Sequence, residues 1–270
     1  MSETAPTLTA LVLAGRRPGP PDAMEAAEGV THKAFIDIGG APMISRVFAT
    51  LEAVDAVADI VVAAPEESRE RLKKLAGAKP LSFTPAAGTP ATSVYEAILK
   101  SARGLLVTTS DHPLLTPGMV RHFLRKIDPT AFAAAAACVD APTYTSAYPG
   151  TRRTFIRLSD LQFSGANLFW FSKDAAEPLL LFWRALEARR KNPASMAATI
   201  GFGTLLRYAV GALSSAALVK TIEAKTGVAA RLIPLPQAEA AMDVDKPEDL
   251  ELVRRVYAAR AARPGPSRET

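Results

Sequence analysis

Two acidic segments carry the first chemistry in this sequence. In LLVTTSDHPLLTP, residues 105–117, an apolar run ends at Thr109 and Asp111 follows at once. A carboxylate there projects into the crevice where parallel α/β sheets bind ligands. It can hold Mg²⁺, which takes one or two protein carboxylates and completes its shell with substrate phosphates and water. In AMDVDKPEDLELV, residues 241–253, Asp243 and Asp245 alternate. On an extended segment that period of two puts both on one face, where they supply the second carboxylate of a metal-bridged nucleotide. A competing reading makes Asp245 and Glu248 a capping box ahead of the helix that follows. Cations come from LVLAGRRPGPPDAMEAAEGVTHKAF, residues 11–35, in Arg16, Arg17 and Lys33. Guanidinium forks and a lysine point charge are what a triphosphate requires. His112, a lone histidine before Pro113, reads as structural.

The elements that must position these groups follow from hydrophobic patterning. Continuous apolar runs at 8–14, 60–64 and 104–109 read as strands buried on both faces, and 81–84 as a short one. Helical spacing covers 42–54, 93–101 and 117–127, and a charged helix is expected over 66–76. The Ala-rich run 132–139 fits helix by propensity and strand by position. Alternation of strand and helix predicts an α/β fold, a Rossmann-like and mostly parallel sheet flanked by helices. Residues 151–172 read as a β-rich insertion and 174–226 as a helical insertion; a strand at 230–236 and a helix from Lys246 close the fold. Within the insertion, Gly201, Gly203 and Gly211 suggest close helix packing or a lid, and the segment is expected to set acceptor choice. One domain over 8–256 results, with disordered tails at 1–7 and 262–270.

Composition narrows the class. With 270 residues, 49% hydrophobic and 22% charged, the chain reads as a globular enzyme, and its net charge of +5 suits phosphorylated ligands. One cysteine, Cys138, excludes an intrachain disulfide and a cysteine-based zinc site. There is no signal-peptide pattern and no apolar run of about 18 residues, so a cytoplasmic location is expected. No GxGxxG dinucleotide fingerprint and no GxxxxGK[ST] loop is present.

Four segments in order, LVLAG with HKAFIDIGGAPMISRVFATL, then VTTSDHPLLTP, FSGANLFWF and DVDKPEDLELV, resemble the MobA-like nucleotidyltransferases of the GT-A-like superfamily. The resemblance spans residues 8–172 and 230–256. It implies transfer of an NMP from an NTP, CTP or GTP, to a phosphorylated small-molecule acceptor with release of pyrophosphate and Mg²⁺ as cofactor. It places Ala14, Gly15 and Arg16 in the phosphate-binding loop, with Arg17 beside them, and Lys33 on the triphosphate. Asp111 becomes the first metal ligand, Asp245 the second, with Asp243 able to share the task. Ser93, in ATSVYEAI, falls near the nucleotide base and Asn167 near the acceptor. Where the family pattern has a second glycine, this chain has Arg16, and the loop to Lys33 is longer. A GT-A glycosyltransferase and a non-catalytic nucleotide-binding relative are the alternative readings. No nucleic-acid partner is expected, the membrane is a lesser alternative for the amphipathic 174–226 segment, and oligomeric state stays open.

Overall fold

The computed structural model describes residues 7–16, 19–189 and 193–262. Both expected tails, apart from Thr7 and Ala262, therefore lie outside the described residues. Eight strands form one sheet: β1 (Leu8–Leu13), β2 (Val57–Ala64), β3 (Leu81–Pro85), β4 (Leu105–Thr109), β5 (Ala134–Asp140), β6 (Ile156–Arg157), β7 (Gln162–Phe171) and β8 (Ala230–Pro234). Their order is β3-β2-β1-β4-β7-β5-β8, with the short β6 paired to β7. β1 is parallel to β2 and β4, β2 to β3, and β5 to β8, whereas β7 runs antiparallel to both β4 and β5. The stretch read as a β-rich insertion thus supplies the strand that joins the two parallel halves.

The helices are α1 (Ala23–Ala27), α2 (Met43–Glu52), α3 (Arg69–Lys73), α4 (Pro90–Lys100), α5 (Pro117–Arg125), α6 (Ala141–Ala147), α7 (Glu177–Arg189), α8 (Pro193–Ile200), α9 (Phe202–Ala209), α10 (Ser215–Thr226) and α11 (Pro247–Ala261). Thr89 and Thr116 start α4 and α5 alike: each side chain accepts an amide of the first turn, and a proline follows at once. The helix expected at 66–76 is shorter, a 3₁₀ turn at Glu66–Ser68 leading into α3.

Alternation along the strands assigns the two faces of the sheet. Ala10, Val12, Leu106, Ala135, Leu168 and Trp170 point into one core with α2, α5 and α11. Leu11, Val107, Ala134 and Phe171 point the other way, under α4 and α7. Phe163 and Cys138 continue that second face toward α10. The Ala-rich run 134–140 is strand because β7 and β8 bond it from both sides, which overrides alanine's helix propensity. Segment 174–226 is helical as expected, but it covers the second face, away from the carboxylates. Gly201 and Gly211 are chain breaks at positive φ, and Gly203, inside α9, makes no close packing contact, since a side-chain carbon added there would meet nothing within 4 Å. Among the described residues no helix is long and apolar enough to cross a membrane.

Candidate active site

The long loop after β1 is folded back on itself. Asp22 and Glu25 form a reciprocal capping box at the start of α1. Glu25 is buried, and its other oxygen accepts the Lys33 backbone N–H at 2.9 Å. His32, also buried, closes the loop onto the strand. Its Nδ1 accepts from the Ala34 amide at 3.0 Å, so its Nε2 carries the proton and donates to the Ala14 carbonyl at 2.9 Å. Two buried polar side chains therefore fix where Lys33 leaves the backbone.

Burial lowers the His32 pKa below its usual 6.5, although the Ala14 carbonyl opposes the shift. The unfolded chain takes up the proton first as pH falls. Stability from the neutral ring is thus complete above pH 6.5 and is lost on acidification below it. The slope is at most about 1.4 kcal/mol per pH unit for each such histidine. Denaturant unfolding at stepped pH should show a shallower slope for His32→Gln than for the parent, and equal slopes would remove His32 from this role.

Asp111 lies just beyond β4, where the Ser110 amide bonds to Leu13 and extends the β1–β4 ladder. The Val244 amide donates to the Asp111 carbonyl at 2.9 Å and docks the second acidic segment against the first. Lys33 Nζ then sits between two carboxylates, 2.5 Å from Asp111 Oδ2 and 3.1 Å from Asp245 Oδ1. It also donates to the Val244 carbonyl at 3.3 Å. Burial alone would depress the Lys33 pKa, but Asp111 and then Asp245 outweigh it and hold it above the usual lysine range. Asp111 Oδ1 is buried with no hydrogen-bond partner, an acceptor left free at the centre of the cluster. Asp245 caps no helix: the N-cap of α11 is Lys246, and the Asp245 side chain turns to Lys33 instead.

Asp243 is engaged elsewhere. Arg153 Nη1 meets its Oδ1 at 2.5 Å and Asn167 Nδ2 donates to its Oδ2 at 2.8 Å. Burial would raise the Asp243 pKa, yet the Arg153 charge and these bonds hold it below the usual carboxylate range. Both Asp243 oxygens are used by Arg153 and Asn167, whereas Asp111 and Asp245 share Lys33 and Asp111 Oδ1 has no hydrogen-bond partner. Asn167 reaches Asp243 through a bulge. Phe169 pairs with Ala136 and Gly165 with Cys138, so three β7 residues oppose Ala137 alone, and Asn167 takes a φ of 45°. Bulges of this kind re-aim side chains beside functional sites.

Substitutions at Asn167 should separate backbone from side chain. Asn167→Ala loses a charge-assisted bond of about 1.5–3 kcal/mol and adds left-handed strain of about 1–2 kcal/mol. Asn167→Gly loses the bond and about 0.5–1 kcal/mol of backbone entropy but meets no left-handed strain. Urea unfolding should therefore rank Asn167→Ala as the less stable variant, and the reverse order would contradict this account.

Two clefts meet at Asp245. One, of about 550 Å³, is lined by Gly15, Arg16, His32, Lys33 and Asp245 among others. The second, of about 490 Å³, is lined by Arg152, Arg153, Ser164, Asp243, Asp245 and Lys246 among others. No residue of 174–226 lines either cleft.

Other candidate residues occupy more varied places. Gly15 is exposed, and a side-chain carbon there would only touch Ala86 at 3.5 Å, so its smallness is not a steric necessity. Arg16 turns inward, with Nε 3.6 Å from Glu25 Oε2, and so braces the loop. Arg17 lies outside the described residues. Ser93 is buried and its Oγ accepts the Ala87 amide, which shapes the turn after β3. His112 is fully enclosed, and neither ring nitrogen makes a hydrogen bond of normal geometry; the Glu239 backbone is its nearest influence of that kind. Burial lowers its pKa, with Asp243 and Asp111 opposing. Glu25 and Arg153 were not anticipated. For Glu25 a signal existed, the Asp-x-x-Glu capping pattern inside the loop.

This arrangement defines a class: an α/β protein with a lysine and two carboxylates at the carboxyl ends of parallel strands, where such sheets bind nucleotides. The chain belongs to the MobA-like NTP transferase family, whose domain model matches residues 10–195. A hypothetical transferase from Thermus thermophilus is similar at 31% identity and TM-score 0.75, over 90% of this chain and 99% of that one. The 4-diphosphocytidyl-2C-methyl-D-erythritol synthase of Anaerococcus prevotii shares the fold at 9% identity and TM-score 0.59, over 94% and 97% of the two chains. A CMP:2-keto-3-deoxy-manno-octonic acid synthetase complexed with CTP does so at 16% identity and TM-score 0.60, over 94% and 100%. No curated protein sequence matches significantly.

Proposed function

We propose that this chain transfers an NMP from an NTP, CTP or GTP, to a phosphorylated small-molecule acceptor and releases pyrophosphate. One observation carries the reading: Lys33 Nζ contacts both Asp111 and Asp245, and Asp245 lies on the wall shared by two polar clefts. The cleft behind Lys33 and Arg16 takes the triphosphate. The other presents the exposed cations Arg152 and Lys246 to an acceptor phosphate. An acceptor phosphate oxygen attacks the α-phosphorus, the bond to the bridging β-phosphate oxygen breaks, and pyrophosphate carries off the electron pair. Lys33 offsets the charge that grows on the leaving group, and the two clefts hold the reactants in line.

The donor set fits Mg²⁺. Asp111 offers a buried oxygen with no partner, Asp245 is exposed beside it, and the remaining ligands would be phosphate oxygens and water. Among the described residues no group of three or more His, Cys, Asp or Glu stands ready as a cage, which suits an ion that arrives with its nucleotide. When bound, the ion would supply Lewis-acid polarisation of the α-phosphate.

Pyrophosphate release, measured with each of four NTPs against a panel of phosphate monoesters in Mg²⁺, tests the proposal. Release that depends on both CTP or GTP and one acceptor is expected. No release with any NTP, together with nucleoside diphosphate formed from a nucleotide-sugar, would replace it with a glycosyl transfer.

A further inference from the structure

α9 exposes the face that a helix normally buries. Phe202 is 73% exposed, Leu206 52% and Val210 68%, and none of its residues is buried. Their spacing of four sets them in one row along the helix and the turn that ends it. The helix stands between Gly201 and Gly211, both at positive φ, which turn the chain in and out of it. An amphipathic helix of a water-soluble monomer points such a row at the core. This row points at solvent.

The segment that carries α9 is basic: over residues 174–226 the sequence holds seven basic residues and four acidic ones. Arg207 lies on α9 itself. Arg189 bonds to Thr199 just before Gly201, and a side chain at Gly201 would meet Lys225 Cε at 3.7 Å. One cation is thus on α9, and Lys225 and Arg189 lie near the turn that starts it.

We infer that α9 docks this chain on an anionic lipid surface. Phe202, Leu206 and Val210 enter the acyl boundary, and Arg189, Arg207 and Lys225 meet the headgroups. A helix that is apolar on one side and basic at its margins lies in the interface plane in this way. A second copy is the poorer occupant. A two-fold contact would set identical surfaces against each other, and with them the same surplus of positive charge. The inference does not depend on the nucleotidyl-transfer reading, since no α9 residue lines either cleft.

Co-sedimentation of the full chain with lipid vesicles tests it. Binding is expected to phosphatidylcholine vesicles carrying about a quarter phosphatidylglycerol, to weaken as salt rises, and to be absent with phosphatidylcholine alone. The combined variant Phe202→Ser, Leu206→Ser, Val210→Ser should bind about tenfold more weakly or worse. Arg207→Gln and Lys225→Gln should each cost about fivefold. In the Phe202→Trp variant, emission should shift to the blue only with the anionic vesicles, a readout that holds even if the triple variant does not fold. No binding to anionic vesicles at low salt, unchanged binding in a folded triple variant, or no emission shift in Phe202→Trp each overturns the inference. So does sedimentation equilibrium that shows a dimer abolished by the triple variant, because a second copy then covers α9.

Discussion

Asp111→Asn is expected to lower the rate of pyrophosphate release by at least about 10³-fold while the protein stays folded. The magnitude follows from what the carboxylate does. Its Oδ1 is the buried, unpartnered oxygen of the cluster, and its Oδ2 holds Lys33. An amide of the same shape can neither ligate Mg²⁺ with full charge nor pair with the lysine. Loss of several kcal/mol of charge stabilisation at the α-phosphate corresponds to three or more powers of ten. Folding is expected to survive because Lys33 keeps Asp245 at 3.1 Å and the backbone bond from Val244 to the Asp111 carbonyl does not involve the side chain. The checks are release rate and thermal melting on the same sample. A folded variant with unchanged release would take Asp111 out of the reaction.

Much of this site was legible because its positions are set by local pattern. Asp111 follows a run of apolar residues that reads as a strand buried on both faces, and a residue just past such a strand has one place to go. Lys33 was legible as a candidate from its residue type, and family resemblance strengthened it, but its position was not. Its location depends on Glu25 and His32, two polar side chains that bury themselves inside a loop, and periodicity says nothing about loops. The place of β7 was hidden for a different reason. Its sequence reads as a strand, but its position between β4 and β5 rests on pairings with residues dozens of positions away. The bulge at Asn167 arises from those pairings, so its aim at Asp243 could not be seen either. Asp243 and Asp245 show the limit of a period-two argument. They do share a segment, yet Arg153, an arginine with no sequence signal of its own, claims Asp243 and leaves Asp245 to Lys33.

Removal of Lys33 gives the second large effect and tests the cluster from the cation's side. Lys33→Met keeps the length and apolar stem of the side chain and deletes the ammonium. The rate constant kcat should fall by about 10²–10³-fold, as when one preorganised donor to developing charge is removed. KM for the nucleotide should change less, because the leaving pyrophosphate gains charge that the bound triphosphate does not yet carry. Lys33→Arg should not restore the rate. The lysine lies in a narrow space between Asp111, Asp245 and the Val244 carbonyl, and a planar fork cannot occupy the place of a point charge there. A second measurement is independent of turnover. Without the ammonium, two carboxylates face each other with nothing between them. Mg²⁺ alone should then raise the melting temperature of Lys33→Met more than that of the parent, in which Lys33 competes for the same oxygens. If kcat stays within about threefold of the parent, Lys33 contributes no charge compensation worth a power of ten. If Mg²⁺ stabilises both proteins equally, the lysine and the metal do not share Asp111 and Asp245, and the carboxylate pair is a brace for the loop rather than a metal site.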